Sequence, residues 1–164
     1  MQLKLERLTE ENLPFVRQID RSDVPFSYVG DADALWETTR YGAEHGLKGC
    51  AFSVKHGEKY VGMLLIGDAL PWDEDPEEMR LQPFWRLMYF VMDASCRSRG
   101  WGGKALEMAI EVVYARFGVR PIALGCHYEN TQAMAFYERH GFVKTNAMEG
   151  NDIYFLRYPQ QEMP

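Results

Sequence analysis

The sequence of 164 residues has few cysteines and no long apolar run, and each absence excludes a class of protein. Cys50, Cys96 and Cys126 have no paired spacing, so neither a disulfide framework nor a zinc site is expected. No stretch approaches the roughly 20 uncharged apolar residues of a membrane-spanning helix, so no membrane partner is expected. The first twelve residues carry acids where a secretion signal would be apolar, which favours a cytoplasmic protein.

Positive charge is scarcer than negative charge, with 18 Lys and Arg against 24 Asp and Glu and a formal net charge of −6. This balance argues against a nucleic-acid surface and favours small cationic partners. Five of the six residues at 73–78 are acidic, which indicates either a solvated loop or a surface that attracts cations. The four histidines have no metal-ligand spacing, so no metal is expected, and only His127, which ends a predicted strand, is expected near a site.

Hydrophobic periodicity predicts one domain, residues 1–164, because no repeat, linker or low-complexity tract divides the chain. Strands are predicted at 2–8, in a hairpin over 49–67 that turns at 56–59, at 84–93, at 120–127, and in a closing hairpin over 142–158. Helices are predicted at about 10–20 after a Thr9 cap, at 31–46, at 103–117 and at 130–141. The apolar run at 84–93 is typical of a strand at the centre of a sheet.

The junction after this central strand, CRSRGWGGKALEMAI at residues 96–110, combines three glycines with three cations. A helix that starts here directs unpaired N–H groups and its positive dipole end outward, and glycine removes the side chains that would keep an anion away. Arg97, Arg99 and Lys104 would add charge suited to a pyrophosphate. The alternative is a tight strand-to-helix turn with solvated cations.

Two familiar phosphate-binding motifs fit this junction poorly. A nucleoside-triphosphate loop needs Ser or Thr after Gly-Lys, and Ala105 stands there instead. The dinucleotide fingerprint is satisfied in its loose form by Gly100, Gly102 and Ala105. That fingerprint should follow the first strand of its domain, whereas here 99 residues precede it. A nicotinamide-binding dehydrogenase is therefore the weaker interpretation.

Two motifs resemble the GCN5-related N-acetyltransferase (GNAT) family in order and separation. Residues 97–102, RSRGWG, are similar to its Arg/Gln-x-x-Gly-x-Gly/Ala motif, and the preceding YFVMD resembles its fourth strand. Residues 129–143, ENTQAMAFYERHGFV, resemble its second signature, an Asn followed by a Phe-Tyr helix and Gly-Phe. The resemblance covers about residues 1–158 and is strong over 84–143.

The resemblance implies an α/β fold in which a mixed (α+β) sheet of six to seven strands is flanked by about four helices. This sheet would splay between its fourth and fifth strands and hold the pantetheine arm of acetyl-coenzyme A, the co-substrate, in the gap. The implied contacts with this molecule are Phe90, Val91, Met92, Arg97, Ser98, Arg99, Gly100, Trp101, Gly102, Gly103, Asn130 and Ala133. Helix capping and packing are the alternative roles of Asn130 and Ala133. Many members of the family form homodimers, so a homodimer is one expected assembly.

Tyr137 falls on the position of the family's general acid, which would protonate the departing coenzyme A thiolate. The acceptor is expected to be a primary amine, of which only about one molecule in 2,500 is neutral at pH 7, so a base must remove a proton. Many members carry an acid early on the fourth strand, but this sequence has none before Asp93. Asp73, Glu74 and Asp75 are the candidates, and the residues leave the base unassigned. The segment MDASCR also has one residue more than the family's usual spacing.

The acceptor is suggested by residues 24–37 and by the Pro-and-acid loop before the central strand, which look like bacterial spermine/spermidine acetyltransferases. An acidic loop can attract and hold a polycation. The expected acceptor is therefore a polyamine or diamine such as spermidine, bound by Tyr28, Asp73, Glu74 and Asp75. An amino acid, a protein N-terminus or an aminoglycoside remains an alternative acceptor. A non-catalytic acyl-coenzyme A sensor is the alternative from another class, against which Tyr137 counts.

Overall fold

Residues 2–160, described here by a computed structural model, form a seven-stranded sheet in the order β1-β2-β3-β4-β5-β7-β6. The strands are β1 (Leu3–Arg7), β2 (Gly49–His56), β3 (Lys59–Asp68), β4 (Trp85–Met92), β5 (Ile122–His127), β6 (Val143–Glu149) and β7 (Asp152–Arg157). The helices are α1 (Leu13–Val16), α2 (Ala32–Glu44), α3 (Glu78–Leu81), α4 (Trp101–Phe117) and α5 (Thr131–Arg139). In this part of the chain no helix combines the length and apolar character needed to cross a membrane.

The strands and the longer helices form where periodicity predicts them, with one clear exception near the N-terminus. The helix predicted over 10–20 is wrong, since only the single turn α1 is helical there. Thr9 and Asn12 explain the difference, because each backbone N–H donates to the other's side-chain oxygen, at 2.8 and 3.2 Å. This reciprocal pair delays the helix start to Asn12. The acidic loop, predicted without regular structure, contains the one-turn helix α3.

Each face of the sheet is covered by a separate hydrophobic core. On one face, α4 buries an apolar stripe of Leu106, Ala109, Ile110 and Val113 against the sheet. On the other face, α1 and α2 cover the centre of the sheet, and Leu35 of α2 is fully buried there. The central strand β4 contributes to both cores, as its nearly continuous apolar sequence predicts.

The sheet opens in its middle, between β4 and β5. These parallel strands pair only at their starts, where Trp85 lies opposite Ile122 and Arg86 opposite Ala123. Further along, β4 bulges: Tyr89 has a positive φ of 59°, and the pairing register with β3 shifts. The two strands therefore separate toward their carboxyl ends, and the predicted mixed sheet splayed between its fourth and fifth strands is confirmed.

Candidate active site

The connection from β4 to α4 begins at Asp93, whose carboxylate is buried. The extra residue noted in MDASCR is accommodated by a 3-10 turn at Ala94–Cys96. The Asp93 carboxylate accepts hydrogen bonds from the Ser95 N–H at 3.0 Å, the Ser95 hydroxyl at 2.6 Å and the Asp20 N–H at 2.8 Å. It therefore fixes both the turn and the segment after α1 to the end of the central strand.

The three cations of the junction have different surroundings. Arg97 folds back onto the sheet, donating to the Met92 carbonyl at 2.8 Å and pairing with Asp23. Arg99 and Lys104 are exposed, and the Arg99 guanidinium lies 5.3 Å from the centre of the Trp101 ring. Arg97 therefore shapes the loop, while the charges of Arg99 and Lys104 face solvent.

Gly100 and Gly103, two of the three glycines of the junction, also have different roles. Gly100 precedes α4 with a φ of 78° and supplies no side-chain cap, so the N–H groups of the first helical turn stay open to an anion. At Gly103, an added Cβ would lie 2.5 Å from the ring of His140, the residue that follows α5, so the absence of a side chain there makes room for this ring against the first turn of α4. Sequence reasoning assigned all three glycines to anion access; the structure explains Gly100 by its left-handed backbone and Gly103 by packing.

A cleft of about 280 Å³ lies where β4 and β5 separate. Its lining includes six aromatic side chains, Tyr28, Trp72, Tyr89, Phe90, Tyr137 and Tyr154. Two carboxylates, those of Glu149 and Asp152, also line it. The structure thus brings Tyr28, Phe90 and Tyr137, three residues selected from sequence, into one cavity.

The backbone of β4 on the cleft side carries open hydrogen-bonding groups. The Asp93 N–H donates to the Val61 carbonyl of β3, and Val91 lies opposite Met63 in the same ladder. Because successive N–H groups of a strand point to opposite sides, the Met92 N–H points away from β3, toward the gap. Of the three residues selected on this strand, Val91 thus faces β3 with its N–H, whereas Phe90 and Met92 face the open side, and of these two Phe90 lines the cleft.

Tyr137 lies on α5 with its ring half-buried against Phe142 and Phe155. Within residues 2–160 its hydroxyl forms no hydrogen bond. Burial raises the pKa of Tyr137 above its ordinary value of 10, so the phenol stays protonated at neutral pH. Such a group can donate a proton into the cleft. At the start of α5, the Asn130 side chain accepts from the Ala133 N–H at 3.4 Å, which is the capping role named as the alternative for this residue.

Asp75, one of the candidate bases, is bound on all sides. Its oxygens accept from the Arg86 guanidinium at 3.2 Å, from the Tyr154 hydroxyl at 2.8 Å and from the Trp72 N–H at 3.0 Å. Asp75 and Arg86 are both buried, and the guanidinium lies 3.7 Å from the centre of the Trp72 ring. A carboxylate held this way is a structural anchor and not a free proton acceptor.

The other two acids of this loop, Asp73 and Glu74, are exposed and do not line the cleft. Sequence reasoning missed the carboxylates that do, Glu149 and Asp152, which lie at the facing ends of β6 and β7. Their only signal in the sequence is their position on either side of the last hairpin turn. Periodicity does not reveal that β7 pairs with β5. This pairing brings Asp152 of β7, and with it Glu149 of the neighbouring β6, to the gap.

His127, expected near a site, is buried at the end of β5 and stacks between Tyr28 and Tyr128. Its Nδ1 accepts from the Glu129 N–H at 3.1 Å, so a neutral ring carries its proton on Nε2. Next to it, burial raises the pKa of the Cys126 thiol to about 12. This thiol therefore stays protonated and is a poor nucleophile.

The chain belongs to the acetyltransferase (GNAT) family, because the model of that family matches residues 13–142. Comparison with the curated proteins finds no significant match. The family assignment agrees with the glycine junction and the splayed sheet.

Solved structures of acetyltransferases share the fold. Aminoglycoside acetyltransferase AAC(6')-Ib in complex with coenzyme A matches with a TM-score of 0.72 and 17% identity, over 96% of this chain and 95% of that one. The PaiA N-acetyltransferase from Thermoplasma acidophilum in complex with coenzyme A matches with a TM-score of 0.68 and 13% identity, over 97% of this chain and 100% of that one. The spermidine N-acetyltransferase from Vibrio cholerae in complex with coenzyme A and spermine matches with a TM-score of 0.65 and 16% identity, over 94% of this chain and 93% of that one. These likenesses show the fold and do not distinguish one acceptor amine from another.

Asp93→Asn is expected to destabilise the protein by about 1–3 kcal/mol at pH 7, because hydrogen bonds to a buried carboxylate are lost. Burial alone would raise the pKa of Asp93, but the hydrogen bonds from Ser95 and Asp20 outweigh it and lower the pKa below 3.8. The stabilising contribution is therefore present above pH 3.8 and is lost as the pH falls through the lowered value. The free energy of unfolding, measured with urea between pH 3 and pH 7, should contain this pH-dependent contribution in the wild type and lack it in the variant. Equal stability of Asp93→Asn and an exposed control, Asp73→Asn, at pH 7 would contradict the assignment.

Proposed function

We propose that this chain is a single-domain N-acetyltransferase that moves an acetyl group from acetyl-coenzyme A to a primary amine, by direct attack in a ternary complex. The observation that carries the proposal is the gap between β4 and β5. It places the open backbone of β4, the phenol of Tyr137 and an acidic, aromatic-lined mouth in one cleft.

Binding of acetyl-coenzyme A uses the junction and the gap together. The pyrophosphate lies against the N–H groups of residues 98–103, where the positive end of the α4 dipole favours negative charge. Arg99 and Lys104 add charge from the solvent side, and Arg97 holds the loop in place through Met92 and Asp23. The pantetheine arm then extends along residues 90–92 and past Asn130 and Ala133.

Two groups act on the thioester in this proposal. A β4 N–H group that faces the gap, that of Phe90 or of Met92, donates to the carbonyl oxygen, which becomes negatively charged as the amine attacks. Tyr137 gives its proton to the sulfur as the carbon–sulfur bond breaks, and its raised pKa keeps that proton in place until then. The buried, protonated Cys126 supports direct transfer to the amine over an acyl-cysteine intermediate.

The acceptor proposed for the cleft is a polyamine or diamine such as spermidine. The aromatic rings of Tyr28 and Trp72 and the carboxylates of Glu149 and Asp152 offer the two kinds of group that bind alkylammonium ions. The Vibrio cholerae spermidine N-acetyltransferase and the aminoglycoside acetyltransferase both share the fold, so this choice depends on the lining of the cleft. The homodimer expected from the family stays a prediction.

Tyr137→Phe is expected to lower kcat at least tenfold with spermidine and to leave the KM for acetyl-coenzyme A nearly unchanged, because only the transferable proton is removed. Thiol release would be measured with spermidine, spermine, lysine, an aminoglycoside and a peptide amine as separate acceptors. Tyr158→Phe, at an exposed position outside the cleft, is the matched control. Tight coenzyme A binding without turnover on any amine would favour the sensor alternative, and turnover confined to the aminoglycoside would replace the polyamine.

Lys104→Gln and Arg99→Gln are each expected to raise the KM for acetyl-coenzyme A about two- to fivefold, because each removes an exposed charge that faces the phosphates. The difference from the wild type should shrink as sodium chloride rises from 0.05 to 0.5 M, since salt screens exposed charges. Lys144→Gln, which removes an exposed cation on β6, should change neither KM nor its salt dependence. An effect of Lys144→Gln equal to that of Lys104→Gln would contradict a phosphate site at the junction.

A further inference from the structure

The proposed reaction needs a proton acceptor that the sequence left unassigned. A primary amine with a pKa near 10.4 is almost entirely protonated at pH 7 and cannot attack a thioester in that form. Of the three acids considered from sequence, Asp75 is bound by Arg86 and Tyr154, and Asp73 and Glu74 do not line the cleft. The carboxylates in the lining are those of Glu149 and Asp152.

These two acids belong to a row of three residues that crosses the sheet. Asp152 on β7 lies directly opposite His127 on β5 and directly opposite Glu149 on β6. Residues directly opposite each other project from the same face of a sheet, so two carboxylates are neighbours there. Like charges in such a position repel each other and reduce stability.

The two carboxylates lie at different depths. Asp152 is half-buried and packs over Gly125 of β5, where an added Cβ would come within 3.2 Å of the Asp152 Cβ and 3.4 Å of its Oδ2. The absence of a side chain at residue 125 thus makes room for the Asp152 carboxylate at the inner edge of the gap. Glu149 is exposed and lies at the outer rim.

Asp152 also differs from Asp75 in its partners. Within residues 2–160 its carboxylate forms no ion pair and accepts no side-chain hydrogen bond, in contrast to Asp75. Burial raises the pKa of Asp152, and only His127 opposes the rise. A carboxylate that is half-buried, unpaired and next to another carboxylate lowers stability when ionised, which is typical of groups retained for chemistry.

Building on the function proposed above, we propose that Asp152 is the general base, and that it takes the proton from the substrate ammonium at the inner end of the cleft. The ammonium gives one proton to Asp152, which passes it to solvent. The neutral nitrogen then forms a bond to the thioester carbon, and the carbon–sulfur bond breaks. Tyr137 gives its proton to the sulfur, and the second proton of the nitrogen returns to Tyr137 as the amide forms. Each turnover therefore releases one proton to solvent.

Glu149 has a different role in the same proposal. At the rim it faces the second ammonium of a diamine while the first lies at Asp152. Removing its charge should therefore raise the KM for spermidine more than it lowers kcat. Asp152→Asn should do the opposite, because it removes the base and leaves the outer carboxylate in place.

The test compares the pH dependence of kcat with spermidine in the wild type and in Asp152→Asn. At pH 7 the variant is expected to lose about 100-fold in kcat. Its activity should recover as the pH approaches 10, because the amine then loses its proton without help. The loss should also shrink for an acceptor amine whose own pKa lies below the assay pH. Glu111→Gln, an exposed carboxylate on α4, is the control expected to leave the profile unchanged.

The profile must be interpreted with all the groups around Asp152 in view. Those that titrate or carry charge are His127, Cys126, Glu149 with Glu74 near it, Tyr28, Tyr137, Tyr154 and Arg86 with its partner Asp75. The acid limb of the profile is the fall in kcat at low pH, where the base is protonated. A His127→Gln variant that retains this limb would show that it reports on Asp152 and not on the histidine. Gly125→Ala should lower kcat and also retain the acid limb, because it displaces the carboxylate without removing it.

Stability distinguishes a base from a structural aspartate. The raised pKa of Asp152 means that its ionised form disfavours folding, and this cost is present once the pH exceeds the raised value. Asp152→Asn should therefore melt at the same temperature as the wild type, or higher, at pH 8. A variant that turns over spermidine with the wild-type pH profile, or that loses activity equally at every pH, would overturn the assignment of the base. A wild type inactive with every amine would instead overturn the proposed function.

Discussion

The separation of β4 from β5 beyond Arg86 and Ala123 is the constraint on which the site depends. Two central strands that part leave backbone N–H and C=O groups on both inner edges without strand partners, and buried groups of this kind cost free energy unless another molecule binds them. The bulge at Tyr89 keeps β4 from rejoining its neighbour, and the hydrogen bond of 2.7 Å between the hydroxyls of Tyr89 and Thr38 holds the bend. In the proposed complex, the amide groups of the pantetheine arm provide the missing partners.

At the narrow end of the gap, the charged side chains are paired with each other. At the wide end, two carboxylates of the lining have no ion-pair partner within residues 2–160. Arg86, Asp75 and Tyr154 form a buried cluster that ties the acidic loop to the sheet. Loss of one partner would leave an uncompensated buried charge, so this cluster is a fixed part of the fold. Within residues 2–160, Asp152 and Glu149 form no ion pair, and the proposed roles in substrate binding and proton transfer depend on this difference from Asp75.

Local sequence pattern predicted most of the elements, and it failed where side chains contact backbone nearby. The longer helices form where predicted, because the apolar stripe of α4 and the side-chain caps of α2 and α5 at Asp31 and Asn130 are properties of neighbouring residues. The reciprocal bonds of Thr9 and Asn12 shortened a predicted helix, because side-chain oxygens there compete with the helical hydrogen bonds. The glycine junction was predicted at the start of a helix, but the ring that packs over Gly103 comes from His140, 37 residues further along the chain.

The sequence by itself determined the family, the position of the glycine-rich junction at the start of a helix and the placement of Tyr137 on a helix after β5, because each depends on residues close together in the chain. The tertiary structure alone decided which acids are available to a substrate. Asp75 became an anchor because β4 and β7 bring Arg86 and Tyr154 to it. Asp152 reached the gap because β7 inserts between β5 and β6 and pairs it with His127. A carboxylate's chemistry depends on its burial and its partners, and both are set by strand order, which no local pattern encodes.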